Sequence, residues 1–312
     1  MIRRNFVKTA FAAAGGMVAG AAVGQGRKKA NPAPDVPAPS ATFRMNYAFH
    51  DGMFANHAGP DFIEQIKWGH QMGFRAIEDN GMRQRTPAMQ EKIGQTLADL
   101  NMGIGVFVAH GIDWQKPSLT TGDAAIRDKF LKEITESVDI AKRCGCKQMV
   151  VVPGLMSYNK ALHYQRATVL DTLRRAVDIL APHGLTLLLE TLNFRDHPSQ
   201  ILPDPPAIYE MCKAINSPYC KMQFDIYHVQ ISGGNIIPNI DLSWDEIGYI
   251  QIGDNPGRQE PGTGEINYRN VFKHLYQKGY RGMLGMEHGK SKPGKEGELA
   301  LIAAYREADA FL

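Results

Sequence analysis

From residue 42 onward, short runs of β-branched and apolar residues alternate with longer segments in which apolar positions recur every three or four residues. The short runs predict strands at 43–49, 75–78, 103–109, 148–152, 186–190, 221–225, 249–252 and 282–287. The longer segments predict helices at 62–72, 88–100, 125–144, 164–181, 206–215, 268–278 and 296–311. Gly73, Gly103, Gly145, Gly184 and Gly279 stand where a helix hands over to the next strand, as left-handed helix stops do. One segment is weak: 235–241 reads as a loop or short turn. Eight strand-then-helix units in about 270 residues predict an α/β fold, a closed (β/α)8 TIM barrel of parallel strands.

The first 41 residues do not share this pattern. Residues 1–24 open with Arg3, Arg4, Phe6 and Lys8 and run on through small, mildly apolar residues. That run of roughly 14 residues is too short for a spanning helix, which needs about 20. It resembles a twin-arginine (Tat) signal sequence, with Ala19, Ala21, Ala22 and Gly24 offering peptidase sites. The resemblance implies export to the periplasm, or membrane anchoring if the segment stays uncleaved. Residues 25–41 carry Pro32, Pro34, Pro37 and Pro39 and read as a Pro-rich linker. Residues 42–312 are left as the TIM-barrel catalytic domain.

Composition narrows the function classes. A hydrophobic content of 44% with 21% charged residues is that of a packed globular protein and excludes a disordered chain. The net charge of +3 comes from the N-terminus, whose first 29 residues hold six basic and no acidic side chains. The remainder has 29 basic against 32 acidic residues, which does not support nucleic-acid binding. Cys144, Cys146, Cys212 and Cys220 lack the spacing of a metal site and read as structural thiols.

In such a barrel the chemistry sits at the carboxyl ends of the strands. There the sequence places Glu78, His110, Glu190, Asp225, Gln251 and Glu287. A carboxylate closing an apolar run such as Leu-Thr-Leu-Leu-Leu-Glu (185–190) is costly to bury unless it is paired or binds a cation. Glu190, Asp225, Gln251 and Glu287 follow one another at intervals of 35, 26 and 36 residues, about one βα unit each. Four oxygen donors, three of them anionic, suit a hard divalent cation, Mg²⁺ or Mn²⁺.

The segments Leu-Leu-Leu-Glu-Thr-Leu-Asn (187–193), Gln-Phe-Asp-Ile-Tyr-His (223–228), 249–268 and Gly-Met-Glu-His (285–288) resemble the xylose isomerase-like TIM-barrel superfamily, and within it the hydroxypyruvate isomerase group. The resemblance covers most of 43–311. It implies that Glu190, Asp225, Gln251 and Glu287 hold the metal, with Gln at the third position where many sugar epimerases have His. It implies that Glu190 and Glu287 are catalytic and move the proton, and that His228 and Arg258 contact substrate. Glu78 and His110 are further substrate-pocket candidates. Lys290 is a weaker candidate for holding a substrate carboxylate, and one or two of Trp68, Trp114 and Trp244 are expected to wall the pocket. The loops at 194–200 and 114–121 match no motif.

The activity this implies is metal-dependent isomerisation of a small hydroxycarbonyl compound, with hydroxypyruvate and tartronate semialdehyde interconverting through an enediolate. Relatives of this kind are commonly homo-oligomers. A ketose 3-epimerase or other sugar isomerase is the alternative, favoured by export and opposed by Gln251. A nuclease on the same fold would need many His ligands and a basic groove, and the chain has ten His. A non-catalytic sugar-binding barrel is opposed by the presence of both glutamates.

Overall fold

A computed structural model describes residues 42–312, so the signal-sequence and linker readings at 1–24 and 25–41 lie outside the described residues. Nine parallel strands appear among them: β1 (Asn46–Phe49), β2 (Ala76–Ile77), β3 (Gly103–Ile104), β4 (Val106–Val108), β5 (Gln148–Val151), β6 (Thr186–Glu190), β7 (Cys220–Asp225), β8 (Ile247–Gln251) and β9 (Met283–Gly285). Their order is β3-β2-β1-β9-β8-β7-β6-β5-β4. The two strands at the ends of that order are halves of the single third strand expected at 103–109. The sheet therefore wraps into a nearly closed barrel, and the predicted eight-unit architecture holds.

The residue at the break, Gly105, is one where only glycine fits. A side chain there would collide with the ring and hydroxyl of Tyr249, which fills the barrel interior with Val106, Val150 and Leu188. Gly285 on the far side is bare for the same reason, since a Cβ would meet the Glu78 carboxylate and the Tyr249 hydroxyl. Two glycines thus make room for a buried Tyr249–Glu78 hydrogen bond of 2.6 Å.

Around the sheet lie α1 (Ala55–Ala58), α2 (Phe62–Gln71), α3 (Pro87–Asp99), α4 (Ala124–Cys144), α5 (Leu162–Leu180), α6 (Pro205–Ile215), α7 (Ile226–Ser232), α8 (Ile236–Ser243), α9 (Tyr268–Gln277) and α10 (Gly294–Asp309). Side-chain caps start many of them: Asp61, Thr86, Asp123, Asp204, Asp225 and Asn267 each accept a first-turn N–H. Gly73, Gly145, Gly184 and Gly279 take the left-handed conformation expected of them, but after α3 that role falls to Asn101 (φ 52°) rather than Gly103.

The loop expected at 235–241 is instead the helix α8, with α7 before it. Pro238 falls in its first turn, where no intrahelical N–H is needed, so it does not break the helix. Ile236 and Ile240, four residues apart, turn one face of α8 to the core. The four cysteines are buried and free, as read from the sequence.

The first and last βα units are stitched together by α10. Asp309 accepts from the backbone N–H groups of Arg44 (2.6 Å) and Met45 (3.1 Å) and from the Tyr47 hydroxyl (3.0 Å). Near the mouth, the fully buried Glu298 accepts from the backbone N–H groups of Asn56 (2.7 Å) and His57 (3.0 Å). No helix among the described residues is long and apolar enough to cross a membrane.

Candidate active site

Strands β6 and β7 end in Glu190 and Asp225, and Glu287 follows β9, so the barrel delivers three carboxylates to one mouth. A cavity of about 510 Å³ opens there, lined in part by Asn80, His110, Trp114, Glu190, His228 and Glu287. A carboxylate oxygen each of Glu190 and Asp225 and a ring nitrogen of His228 lie within 4.8 Å of one another.

Asp225 has two duties. Its Oδ1 caps α7, accepting from Tyr227 N–H (2.8 Å) and His228 N–H (3.3 Å). Its Oδ2 receives Arg258 Nη2 at 3.0 Å, and the same nitrogen lies 2.8 Å from Glu287 Oε2. Arg258 also donates through Nε to the Glu287 carbonyl (3.0 Å) and stacks on Tyr227 at 4.7 Å. One guanidinium therefore faces three carboxylates. Burial, with Glu287 and Asp225 alongside, holds Glu190 well above the ordinary carboxylate range. Burial pushes Glu287 up to about 7 against the pull of Arg258. For Arg258 itself burial opposes the charge, but Glu287, Asp225 and Glu190 together outweigh it and raise its pKa.

The loop carrying Arg258 is rigidly built. The buried Asp254 carboxylate accepts backbone N–H groups from Asn255 (2.9 Å), Gly262 (2.8 Å), Gly264 (3.0 Å) and Ile266 (3.1 Å). Arg258, in the left-handed region at φ 51°, donates its own N–H to Asp254 O and accepts Gly289 N–H.

The tautomer of His228 follows from its neighbours. Asn193 presents both its backbone N–H (3.3 Å) and its amide Nδ2 (2.6 Å) to Nδ1. The amide orientation is fixed because Asn193 Oδ1 accepts two backbone N–H groups, from Arg195 and Asp196. Nδ1 is an acceptor, so the proton of the neutral ring sits on Nε2, which is buried with Asp225 Oδ2 at 3.5 Å and no closer hydrogen-bond partner. Burial lowers the pKa of His228 to about 4 and keeps it neutral. A protonated Nε2 donates to a bound oxygen and does not ligate a metal.

The other expected residues are less uniform. Gln251 is fully buried and its amide is already committed, Nε2 donating to Glu78 Oε1 and Oε1 accepting from Gln223 Nε2, both at 2.7 Å. Glu78 lies beneath the cavity rather than in its wall, held by Tyr249, Gln251 and, at 3.1 Å, His50. His110 does line the cavity, but backbone groups engage both ring nitrogens: Nδ1 lies 3.2 Å from Gly111 O, and Nε2 accepts from Val152 N–H at 3.2 Å. Lys290 points away, to Met53 O (2.8 Å) and Glu298 (3.3 Å), because the buried Glu298 needs a cation. Of the tryptophans, Trp114 walls the cavity, while Trp68 stacks on His57 and Trp244 packs against Tyr280.

Among the cavity residues that escaped the sequence reading are His197, Asn80 and Leu192. His197 comes from the loop at 194–200 and bridges Trp114 (5.0 Å) and His228 (5.2 Å). Asn80 donates from Nδ2 to Glu287 Oε1 at 2.9 Å. Leu192, two residues past Glu190, adds an apolar patch. Only Asn80 had a usable signal, as a polar residue two positions beyond a strand end.

The donor chemistry fits a hard divalent cation: three converging carboxylates with too little positive charge to balance them.

The model of the xylose isomerase-like TIM barrel family matches residues 66–308. The chain belongs to that family. It is 29% identical to the hydroxypyruvate isomerase of Escherichia coli (strain K12) over 255 residues, covering 79% of this chain and 94% of that one. It is 29% identical to the 2-oxo-tetronate isomerase of Cupriavidus necator, covering 81% and 95%. Among solved structures, a family 2 AP endonuclease from Brucella melitensis superposes with a TM-score of 0.73 at 25% identity, covering 84% of this chain and 99% of that one. A nearly closed parallel barrel is what membership predicts.

Proposed function

We propose that this protein is a divalent-metal-dependent isomerase that interconverts hydroxypyruvate and tartronate semialdehyde. The observation that carries the reading is a pair of glutamates, Glu190 and Glu287, at one cavity with proton affinities raised out of the ordinary carboxylate range. A carboxyl group titrating near 7, as Glu287 does, both takes and releases a proton at neutral pH.

In the reaction one carboxylate removes a proton from the hydroxyl-bearing carbon of hydroxypyruvate, and electrons move into the neighbouring carbonyl to give an enediolate. The other glutamate, protonated at the start, gives a proton to the former keto carbon; the hydroxyl proton passes to the former keto oxygen, and the original hydroxyl oxygen becomes the aldehyde. No oxidant is consumed. Arg258 holds the substrate carboxylate by charge-assisted hydrogen bonds, and His228 donates from Nε2 to a substrate oxygen. Mg²⁺ or Mn²⁺, held by Glu190, Asp225 and Glu287, would supply Lewis-acid stabilisation of the developing negative charge, while Gln251 stays bonded to Gln223 and Glu78.

A four-carbon 2-oxo acid is the second reading, supported by the cavity of about 510 Å³ and by the Cupriavidus relative. Proton NMR of Mg²⁺-loaded protein in D₂O separates the readings. Deuterium entering hydroxypyruvate with conversion to tartronate semialdehyde supports the first; exchange confined to a four-carbon 2-oxo acid, or to a ketose, replaces it.

A further inference from the structure

Asn80 lies just past β2 in a turn fixed by its neighbour. Asp79 Oδ1 accepts from Gly81 N–H (3.1 Å), its Oδ2 is held by Arg85, and its carbonyl accepts from Met82 N–H (3.0 Å). The Asn80 side chain therefore stands in a set position against Glu287. The amide presents Nδ2 to Glu287 Oε1 at 2.9 Å. Oδ1 therefore faces the other way. That oxygen is shielded from solvent and has no donor among the described residues, although Asn80 lines the cavity. A buried acceptor left without a donor is costly in a native protein and calls for an explanation.

His228 Nε2 has the opposite polarity because it carries a proton, and its one neighbouring acceptor, Asp225 Oδ2, stands at 3.5 Å, long for a hydrogen bond. The site thus holds a weakly engaged donor and, in Asn80 Oδ1, an unpaired acceptor. A carboxylate or carbonyl satisfies only the donor; a hydroxyl is the group that can donate to Asn80 Oδ1. A compound with adjacent carbonyl and hydroxyl groups supplies both.

We propose that Asn80 is a specificity-determining residue whose Oδ1 accepts the hydrogen of the substrate hydroxyl next to the reacting carbonyl, while its Nδ2 keeps Glu287 oriented. The proposal rests on the functional reading above. It goes further by naming the group that recognises the hydroxyl and by separating hydroxy-keto substrates from simple keto acids.

The test uses hydroxypyruvate and pyruvate, which share the carboxylate and carbonyl and differ in the hydroxyl. The quantity read is the ratio of the pyruvate inhibition constant to the hydroxypyruvate KM. Asn80→Ala should lower this ratio about fivefold or more, the size of one lost hydrogen bond. Asn80→Asp keeps an acceptor, so the ratio should stay within about twofold while kcat falls because Glu287 has lost its donor. Matched melting curves show that each variant is folded, and either variant alone decides the point. An unchanged ratio in Asn80→Ala, or an equal loss on both compounds, overturns the proposal. Wild-type conversion of hydroxypyruvate tests the functional reading, whereas the change in ratio between wild type and variant tests Asn80. A wild type that binds neither compound overturns both.

Discussion

Replacing Glu190 by Gln should make the metal-free protein more stable while destroying its activity. Glu190 and Asp225 bring acceptor atoms within 4.8 Å of each other, and the one guanidinium at hand is engaged by Asp225 and Glu287. Two unit charges at that separation repel by about 3.5 kcal/mol at an effective dielectric constant near 20. Arg258 offsets part of this, leaving a net gain of about 1–3 kcal/mol for the neutral side chain, or roughly 2–6 °C in Tm. The sign depends on pH. Glu190 is held well above its ordinary value of 4.5 and Glu287 at about 7, so the folded state binds more protons than the unfolded state between those limits. Stability of the metal-free wild type therefore falls as pH rises from about 4.5 through 7 and beyond, and the variant is spared much of that loss. Thermal melts in EDTA at pH 4.5 and pH 8 measure it: the two proteins should coincide at the acid end, and Glu190→Gln should melt higher at pH 8. Saturating Mn²⁺ at pH 8 should then reverse the order by stabilising the wild type preferentially. A variant that melts lower than wild type at pH 8 without metal would refute the idea that the carboxylates are held together under repulsion.

Three further outcomes follow from the same geometry. Glu287→Gln should keep its circular-dichroism spectrum yet lose about 10²–10⁴-fold in kcat for hydroxypyruvate, the usual worth of a positioned acid–base group; retention of most turnover would remove Glu287 from proton transfer. Dialysis against EDTA should abolish isomerisation, with Mg²⁺ or Mn²⁺ restoring it, and full activity in metal-free protein would end the Lewis-acid reading. Gly285→Ala should cost at least about 1–3 kcal/mol in urea unfolding, because the added methyl meets the Glu78 carboxylate and the Tyr249 hydroxyl in a packed interior.

The barrel was legible because each βα unit repeats the same signals: an apolar run, a polar residue at its carboxyl end and a helix with one apolar face. Glu190, Asp225 and Glu287 could be placed at one mouth from spacing alone, because parallel strands of similar length end at the same level. What spacing does not encode is rotamer and partner. Gln251 lies at its expected strand end, yet its amide is turned to Gln223 and Glu78. His110 lines the cavity with both nitrogens engaged by backbone groups, and Lys290 serves Glu298. The contributions of Trp114 and His197 depend on loop paths, which carry no periodicity. The need for a glycine at 105 was hidden because the ring that requires it, Tyr249, lies far away in sequence.

The stitching of α10 to the beginning of the barrel bears on how the chain reaches this shape. Asp309 binds the segment around residues 44–47 at sequence separations of 262 to 265, and Glu298 binds residues 56 and 57 at separations of 242 and 241. Contacts of such long range are made late, after most of the loop-closure entropy has been spent. A growing polypeptide that lacks α10 leaves the backbone donors at 44, 45, 56 and 57 without these acceptors and the first strand without its final lock. Such an intermediate leaves bare the apolar surface that Leu301 and Tyr305 of α10 pack against, so synthesis of this protein carries an aggregation hazard until α10 docks.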